Sequence, residues 1–297
     1  MASLAHPVLA AASLSSAMAP GYTYANPAPN PVPTKESGPA LLVGVPWIDA
    51  NWMYISCMFC PISFLIIWLA FKGSFKEKLK NPYVIGWLST SFYFMHQAEE
   101  HAIDFRGWHY AFVPGFNYLV GPVLFPICDI LGHNHCPITP RLGTYINVVA
   151  IWIGFSVTMV IAHYKGGKYA YAGIVNWGMS VVNGVLGHLV PWILMGYNSG
   201  AVQSLFFLVP FGLWAFTRDG PKFAVACIAN GMIFHMASFG IGITLMLKFS
   251  LPPEFDAVLC FVFSCIVPLA IAGKMAPGTS NWYITEQSPK GEPLLGV

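Results

Sequence analysis

Seven apolar runs, each near the length needed to cross a bilayer, constrain this chain more than any other feature of its sequence. They lie at Trp52–Phe71, Tyr83–Ile103, Leu142–His163, Tyr169–Met195, Ala201–Phe216, Lys222–Leu247 and Ala257–Gly273. The hydrocarbon core of a bilayer is about 30 Å thick and takes about 20 helical residues to cross. Inside it every backbone N–H and C=O needs a partner within the protein, so runs of this length form helices. The composition agrees. The chain is 56% hydrophobic and 9% charged, against about 25% charged in an average soluble domain. The predicted fold is therefore all-α: a polytopic transmembrane helix bundle of about seven spans. The net charge of +2 and the lack of a basic stripe give no reason to expect nucleic acid as a partner.

A further apolar stretch, Phe112–Leu131, is interrupted by Pro114, Gly115, Gly121, Pro122 and Pro126. Proline removes a donor and breaks the helical ladder, so this stretch reads as a re-entrant or interfacial segment resting on protein. The loop charges support that count. Lys72, Lys76, Lys78 and Lys80 fill the first connection, Lys165 and Lys168 the third, and Arg218 and Lys222 the fifth. Basic residues thus favour the odd loops, which the positive-inside rule assigns to the cytosol, with the N-terminus on the non-cytosolic side. Residues 1–46 are rich in Pro, Ala and Ser and read as a disordered tail, residues 47–275 as one transmembrane domain, and residues 276–297 as a polar tail. The seven cysteines are scattered through apolar runs. Their odd number argues against a disulfide framework, and Cys57 and Cys60, though spaced CxxC, read as buried thiols.

The second span ends in His96-Gln97-Ala98-Glu99-Glu100-His101. A carboxylate in hydrocarbon costs several kcal/mol unless it is protonated, paired or hydrated, so this cluster is the first candidate for function. On a regular helix His96 stands i, i+3 from Glu99 and i, i+4 from Glu100, which places both carboxylates beside one imidazole. His101 falls further round the helix and nearer the surface. The fourth and sixth spans each carry Asn-Gly-x-x-x-His, as Asn183–His188 and Asn230–His235. The glycine one turn before each histidine lets another helix or a ligand come close. His96, His188 and His235 then lie at similar depth on three spans running the same way, and with the glutamates they point to a shared polar pocket. Asn183, Asn230 and His101 are candidates for its wall. His133 and His135, beside Cys136, have the form of zinc ligands but stand in a proline-bounded loop.

His96, Glu99 and Glu100 spell His-x-x-Glu-Glu, and the chain resembles the multi-pass membrane proteins that share an HXXEE motif. The resemblance implies a membrane enzyme with His96, Glu99 and Glu100 in its site, and it implies no substrate. The i, i+4 His/Glu pair is also similar to that of the emopamil-binding type of sterol isomerases, where an intramembrane acid protonates a double bond. The residues themselves suit an intramembrane enzyme acting on a lipidic or isoprenoid-like substrate by isomerisation or cyclisation. Glu99 and Glu100 would serve as acid and base, tuned by His96, with His188 and His235 completing the catalytic set and no cofactor needed. A divalent metal held by His96, Glu100, His188 and His235 would instead activate water for hydrolysis. The alternative is a proton- or metal-coupled transporter, since intramembrane His and Glu also mark ion pathways.

Overall fold

The computed structural model of the protein describes residues 30, 32–131 and 136–277. Among them there is no strand, and seven long helices form the body. They are α1 Trp47–Ala70, α2 residues 82–102, α3 Pro140–Lys165, α4 Gly167–Leu194, α5 Ala201–Thr217, α6 Pro221–Phe249 and α7 Glu254–Met275. Of these, α1, α3, α4, α6 and α7 are long and apolar enough to cross a membrane. The α5 helix is shorter, and α2 carries the polar cluster. Leu65, Ile66 and Leu69 on α1, Ile193 and Leu194 on α4 and Val225 on α6 are exposed. Large apolar side chains turned outward along several helices are the surface of a protein embedded in lipid.

Local sequence sets the helix ends. The Asn81 side chain accepts from Tyr83 N at 2.8 Å and Val84 N at 3.3 Å, and Pro82 fills the first helical position of α2. Both are standard devices for starting a helix. The helices then depart from regularity. Wider π-helical turns occur at Ala98–Ala102 in α2, Tyr145–Phe155 in α3, Asn183–Leu189 in α4, Ser204–Leu208 in α5, Met236–Gly242 in α6 and Val262–Ile266 in α7. In α4, α5 and α7 a proline stands just beyond the wide turn, at Pro191, Pro210 and Pro268. A proline ring clashes with the carbonyl four residues back, and shifting that turn to i→i+5 bonding relieves the clash.

The α4 helix is central, packed against α2, α5, α6 and α7. Its contact with α6 is backbone to backbone: a Cβ on Gly178 would strike the Cys227 carbonyl, and one on Gly231 would strike the Gly178 carbonyl. Small residues permit this closeness in membrane bundles.

The stretch expected to be re-entrant forms three short helices, Phe112–Leu119, Gly121–Leu124 and Ile127–Leu131. It is tied down by Asn117, which donates to Ile138 O at 2.8 Å and accepts from Ile138 N at 2.9 Å. Two expectations need correction here. Cys128 and Cys136 form a disulfide across this segment, while Cys57, Cys60, Cys227, Cys260 and Cys265 are free. An odd count therefore excluded only complete pairing, and one short-range bridge escaped the reading. The tail expected to be disordered through residue 46 includes a short helix, Ser37–Leu41. Asn30 also donates to Asn117 O and Cys136 O at 2.8 Å. The physical reason is that these residues satisfy backbone carbonyls the re-entrant segment leaves open. His133 and His135 lie outside the described residues, as do residues 1–29 and 278–297.

Candidate functional site

The end of α2 is a π-helical turn, and this turn reshapes the motif. Wider turns bring residues five apart into line. His101, expected further round and nearer the surface, is buried on the same side as His96. Its Nε2 is 3.4 Å from Glu100 Oε2. Glu99 leaves this face. Its carboxylate accepts from Gln203 N at 2.7 Å and Val202 N at 3.4 Å, at the start of α5. Free N–H groups and the helix dipole make a helix start attractive to an anion. The two adjacent glutamates are therefore separated: Glu100 goes to the histidines and Glu99 to a neighbouring helix.

His188 comes from the π-helical turn of α4. His96 Nε2 and His188 Nε2 are 3.1 Å apart, and Glu100 lies 3.4 Å from the first through Oε2 and 3.5 Å from the second through Oε1. Asn183 Nδ2 donates to His96 Nε2 at 3.0 Å and lies 3.3 Å from His188 Nε2. His96, Glu100 and His188 are all buried.

The tautomers follow from the partners. His188 Nδ1 is 2.6 Å from the Ser199 carbonyl, which can only accept, so Nδ1 carries the proton. Asn198 Oδ1 stands beside it at 2.7 Å. His188 Nε2 then faces inward, as does His96 Nε2. Two imidazole Nε2 atoms and a carboxylate thus converge.

A proton on one of the two facing Nε2 atoms, or a metal ion between them and Glu100, would each satisfy this set. Charge-assisted N–H···O bonds are about 2.7–2.9 Å long, so the two Glu100 contacts are too long for good ion-pair hydrogen bonds. Glu100 faces His96 through Oε2 at 3.4 Å and His188 through Oε1 at 3.5 Å, and with one atom taken from each residue the three lie within 4.8 Å of one another, a spacing that a metal ion could bridge. Among the described residues His96, Glu100 and His188 are the group able to hold a metal ion. Three protein ligands leave a fourth position open, the arrangement typical of catalytic zinc.

A cavity of about 20 Å³ adjoins this point, lined by Glu100, His101, Asn147, Asn183, Tyr93 and Phe112 among others. A single water needs about 10–15 Å³ on that measure, so there is room for a water beside Glu100 and none for a hydrocarbon substrate.

His235 does not join the cluster. Its Nδ1 donates to the Gly231 carbonyl at 2.7 Å and its ring stacks on Phe239. Asn230 is buried without a hydrogen-bond partner among the described residues and does not line the cavity beside Glu100.

Asn147 is also a sequence candidate to extend the pocket, and the structure joins it to Ser56 and Gln97, which the sequence did not single out. Ser56 on α1 donates to Gln97 Oε1 at 2.7 Å, and Gln97 Nε2 donates to Asn147 Oδ1 at 3.1 Å. Asn147 Nδ2 then donates to His101 Nε2 at 3.2 Å. This chain locks α1, α2 and α3 around the site. Gln97 sits inside the motif, and its depth in an apolar span was a usable signal. Gly200 is the other. Its φ is +86°, and a Cβ there would lie 2.8 Å from atoms of both His188 and His96. Only glycine fits against the two imidazoles. No family model, no curated protein and no solved structure matches this chain.

Proposed function

We propose that this protein is a membrane-embedded, metal-dependent hydrolase of a lipidic substrate, with His96, Glu100 and His188 as the metal ligands. The observation that carries this reading is the convergence of two buried imidazole Nε2 atoms and the Glu100 carboxylate within 4.8 Å of one another. A divalent ion held by these residues would supply Lewis-acid activation of water. The protein's own groups do the rest. Ser199 and Asn198 fix the His188 tautomer, as hydrogen-bonded partners of metal-binding histidines do. His101 lies beside Glu100, lines the water-sized cavity and is held by Asn147. Glu99 positions the start of α5 and the 196–200 connection over His188 and has no chemical role.

The acid–base isomerase or cyclase anticipated from the adjacent glutamates draws less support. Its two carboxylates diverge, and the cavity beside Glu100 has room for a water but not for an isoprenoid. We place the site on the non-cytosolic side. The basic odd loops support this orientation, and so does the Cys128–Cys136 bridge, since disulfides persist in oxidising compartments.

The test is metal content and turnover on the full-length protein purified without chelator. About one divalent ion per chain is expected in the wild type, with loss in Glu100→Gln and His188→Ala and retention in Glu99→Gln. Hydrolysis of a membrane lipid extract should stop with chelator and return with zinc. Metal-free protein that isomerises a lipid, with Glu99→Gln as inactive as Glu100→Gln, would replace this reading with the acid–base one.

A further inference from the structure

A second, larger cavity of about 210 Å³ lies beside the site, with Arg106, Trp108, Phe112, Gly115, Tyr197 and Asn198 in its wall. Two features tie it to the candidate metal centre. Asn198 contacts both the cavity and His188 Nδ1. Phe112 lines this cavity and the water-sized one alike, and its ring lies 5.3 Å from those of both His101 and His188. Phe112 is therefore the partition between an open vestibule and the buried histidines.

Arg106 is held rigidly in that vestibule. Asp104 is buried and saturated: Oδ1 accepts from Arg106 N at 2.9 Å and Trp108 N at 2.8 Å, and Oδ2 accepts from Arg106 Nε at 3.3 Å and Nη2 at 3.2 Å. The guanidinium is sandwiched between the Trp108 ring at 3.6 Å and the Tyr197 ring at 3.9 Å. Both faces and one edge are occupied, and Nη1 has no partner among the described residues. Burial, with the Asp104 and Glu99 carboxylates nearby, pushes the Tyr197 phenol up, so it stays protonated. The Asn198 side-chain oxygen faces His188, which leaves its amide N–H groups for the cavity. The vestibule thus presents hydrogen-bond donors and a fixed planar cation, the groups that recognise phosphate and carboxylate oxygens. Pockets for whole organic ligands run to about 300–1,000 Å³, so this cavity suits a polar head and leaves the chains outside.

We propose that the vestibule holds the phosphate-bearing head of an amphiphilic substrate, recognised by the free edge of Arg106, with the scissile bond passing Phe112 to reach the metal centre. This rests on the hydrolase reading, and the experiment separates the two. Binding of dihexanoyl phosphatidic acid, dihexanoylglycerol and inorganic phosphate is measured by calorimetry on the full chain in maltoside detergent, together with metal content. The wild type should bind the phosphatidic acid, and Arg106→Gln should weaken it by about tenfold or more, the usual scale for a hydrogen bond to a charged group. Nothing lies within 4 Å of a Cβ built on Gly115, so Gly115→Phe fills the cavity without striking the bundle and should abolish binding. Dihexanoylglycerol and inorganic phosphate should each bind at least about tenfold more weakly than the phosphatidic acid.

His188→Ala should lose metal and keep the lipid. Unchanged affinity in folded Gly115→Phe, or equal binding of dihexanoylglycerol, overturns the proposal. Equal binding of inorganic phosphate overturns its amphiphile half and leaves a free-phosphate site. Arg106-dependent lipid binding by a wild type that holds no metal would sink the hydrolase and leave the head-group site standing.

Discussion

The hexapeptide Asn-Gly-x-x-x-His occurs twice, and its two copies behave differently. The glycines do the same work in both. Gly184 on α4 lies where a Cβ would meet Val209 of α5 at 2.8 Å, and Gly231 on α6 lies against the Gly178 backbone of α4. The histidines diverge. In α4 the segment Asn183–Leu189 is a π-helical turn, and Asn183 and His188 reach the same point. In α6 Asn230–His235 is regular helix, where five residues at about 100° each leave the two side chains about 140° apart. His235 then bonds back to the carbonyl four residues earlier. The difference lies outside the hexapeptide. Pro191 follows His188 by three residues, while α6 has no proline after His235 until Pro252. In α4 the wide turn includes the histidine, whereas in α6 it begins only after His235, at Met236–Gly242 and without a proline, so the placing of the wide turn decides which histidine reaches the cluster.

The largest test of this contrast is to remove each imidazole. His188→Ala should weaken metal binding by more than about 100-fold, since even supporting residues around metal sites are worth about 10–100-fold. His235→Ala should leave metal content unchanged. Equal losses, read by elemental analysis and competition with a chelating dye, would break the comparison.

Next come the glycines facing the two histidine-bearing turns. Gly200→Ala forces a left-handed residue and drives a methyl into both imidazoles, so stability should fall by about 1–3 kcal/mol and metal should be lost. Gly240, in the π-helical turn after His235, has open space around it. Gly240→Ala should raise stability by about 0.5–1 kcal/mol, the ordinary gain for a helical glycine. Thermal unfolding of both variants checks this.

Pro191→Ala sharpens the cause. Freed of the ring, α4 should return toward regular bonding and rotate His188 away. Metal affinity should fall by about tenfold while helix stability holds or rises, because proline costs about 3 kcal/mol inside a helix. Unchanged affinity would show that packing alone widens the turn.

The smallest expected difference is at the asparagines. Asn183→Ala should change metal affinity by no more than several-fold, because its bond to His96 Nε2 engages the atom that a metal would take. Asn230→Leu, which removes a buried amide with no partner among the described residues, should leave metal untouched. It should stabilise the protein by about 1–3 kcal/mol, the desolvation cost of an unsatisfied polar group. A destabilised Asn230→Leu would mean that the amide is in fact satisfied.

Much of this protein was legible in its sequence. The helices follow from apolar length alone, because hydrocarbon leaves the backbone no other structure at that length. The proline-broken stretch from Phe112 was readable for the same reason. His96, Glu100 and His188 stood out because a buried polar group in a span is costly. What the sequence did not contain is which of two adjacent glutamates faces the histidines. Glu99 and Glu100 are chemically identical neighbours, and they were separated by the free N–H groups at the start of α5, a hundred residues away. His101 became buried because the re-entrant segment covers it, and His235 fell out of the cluster because its helix kept its regular turn. Composition fixes which segments leave water. Only the packing of one helix end against another decides where each polar side chain finds its partner.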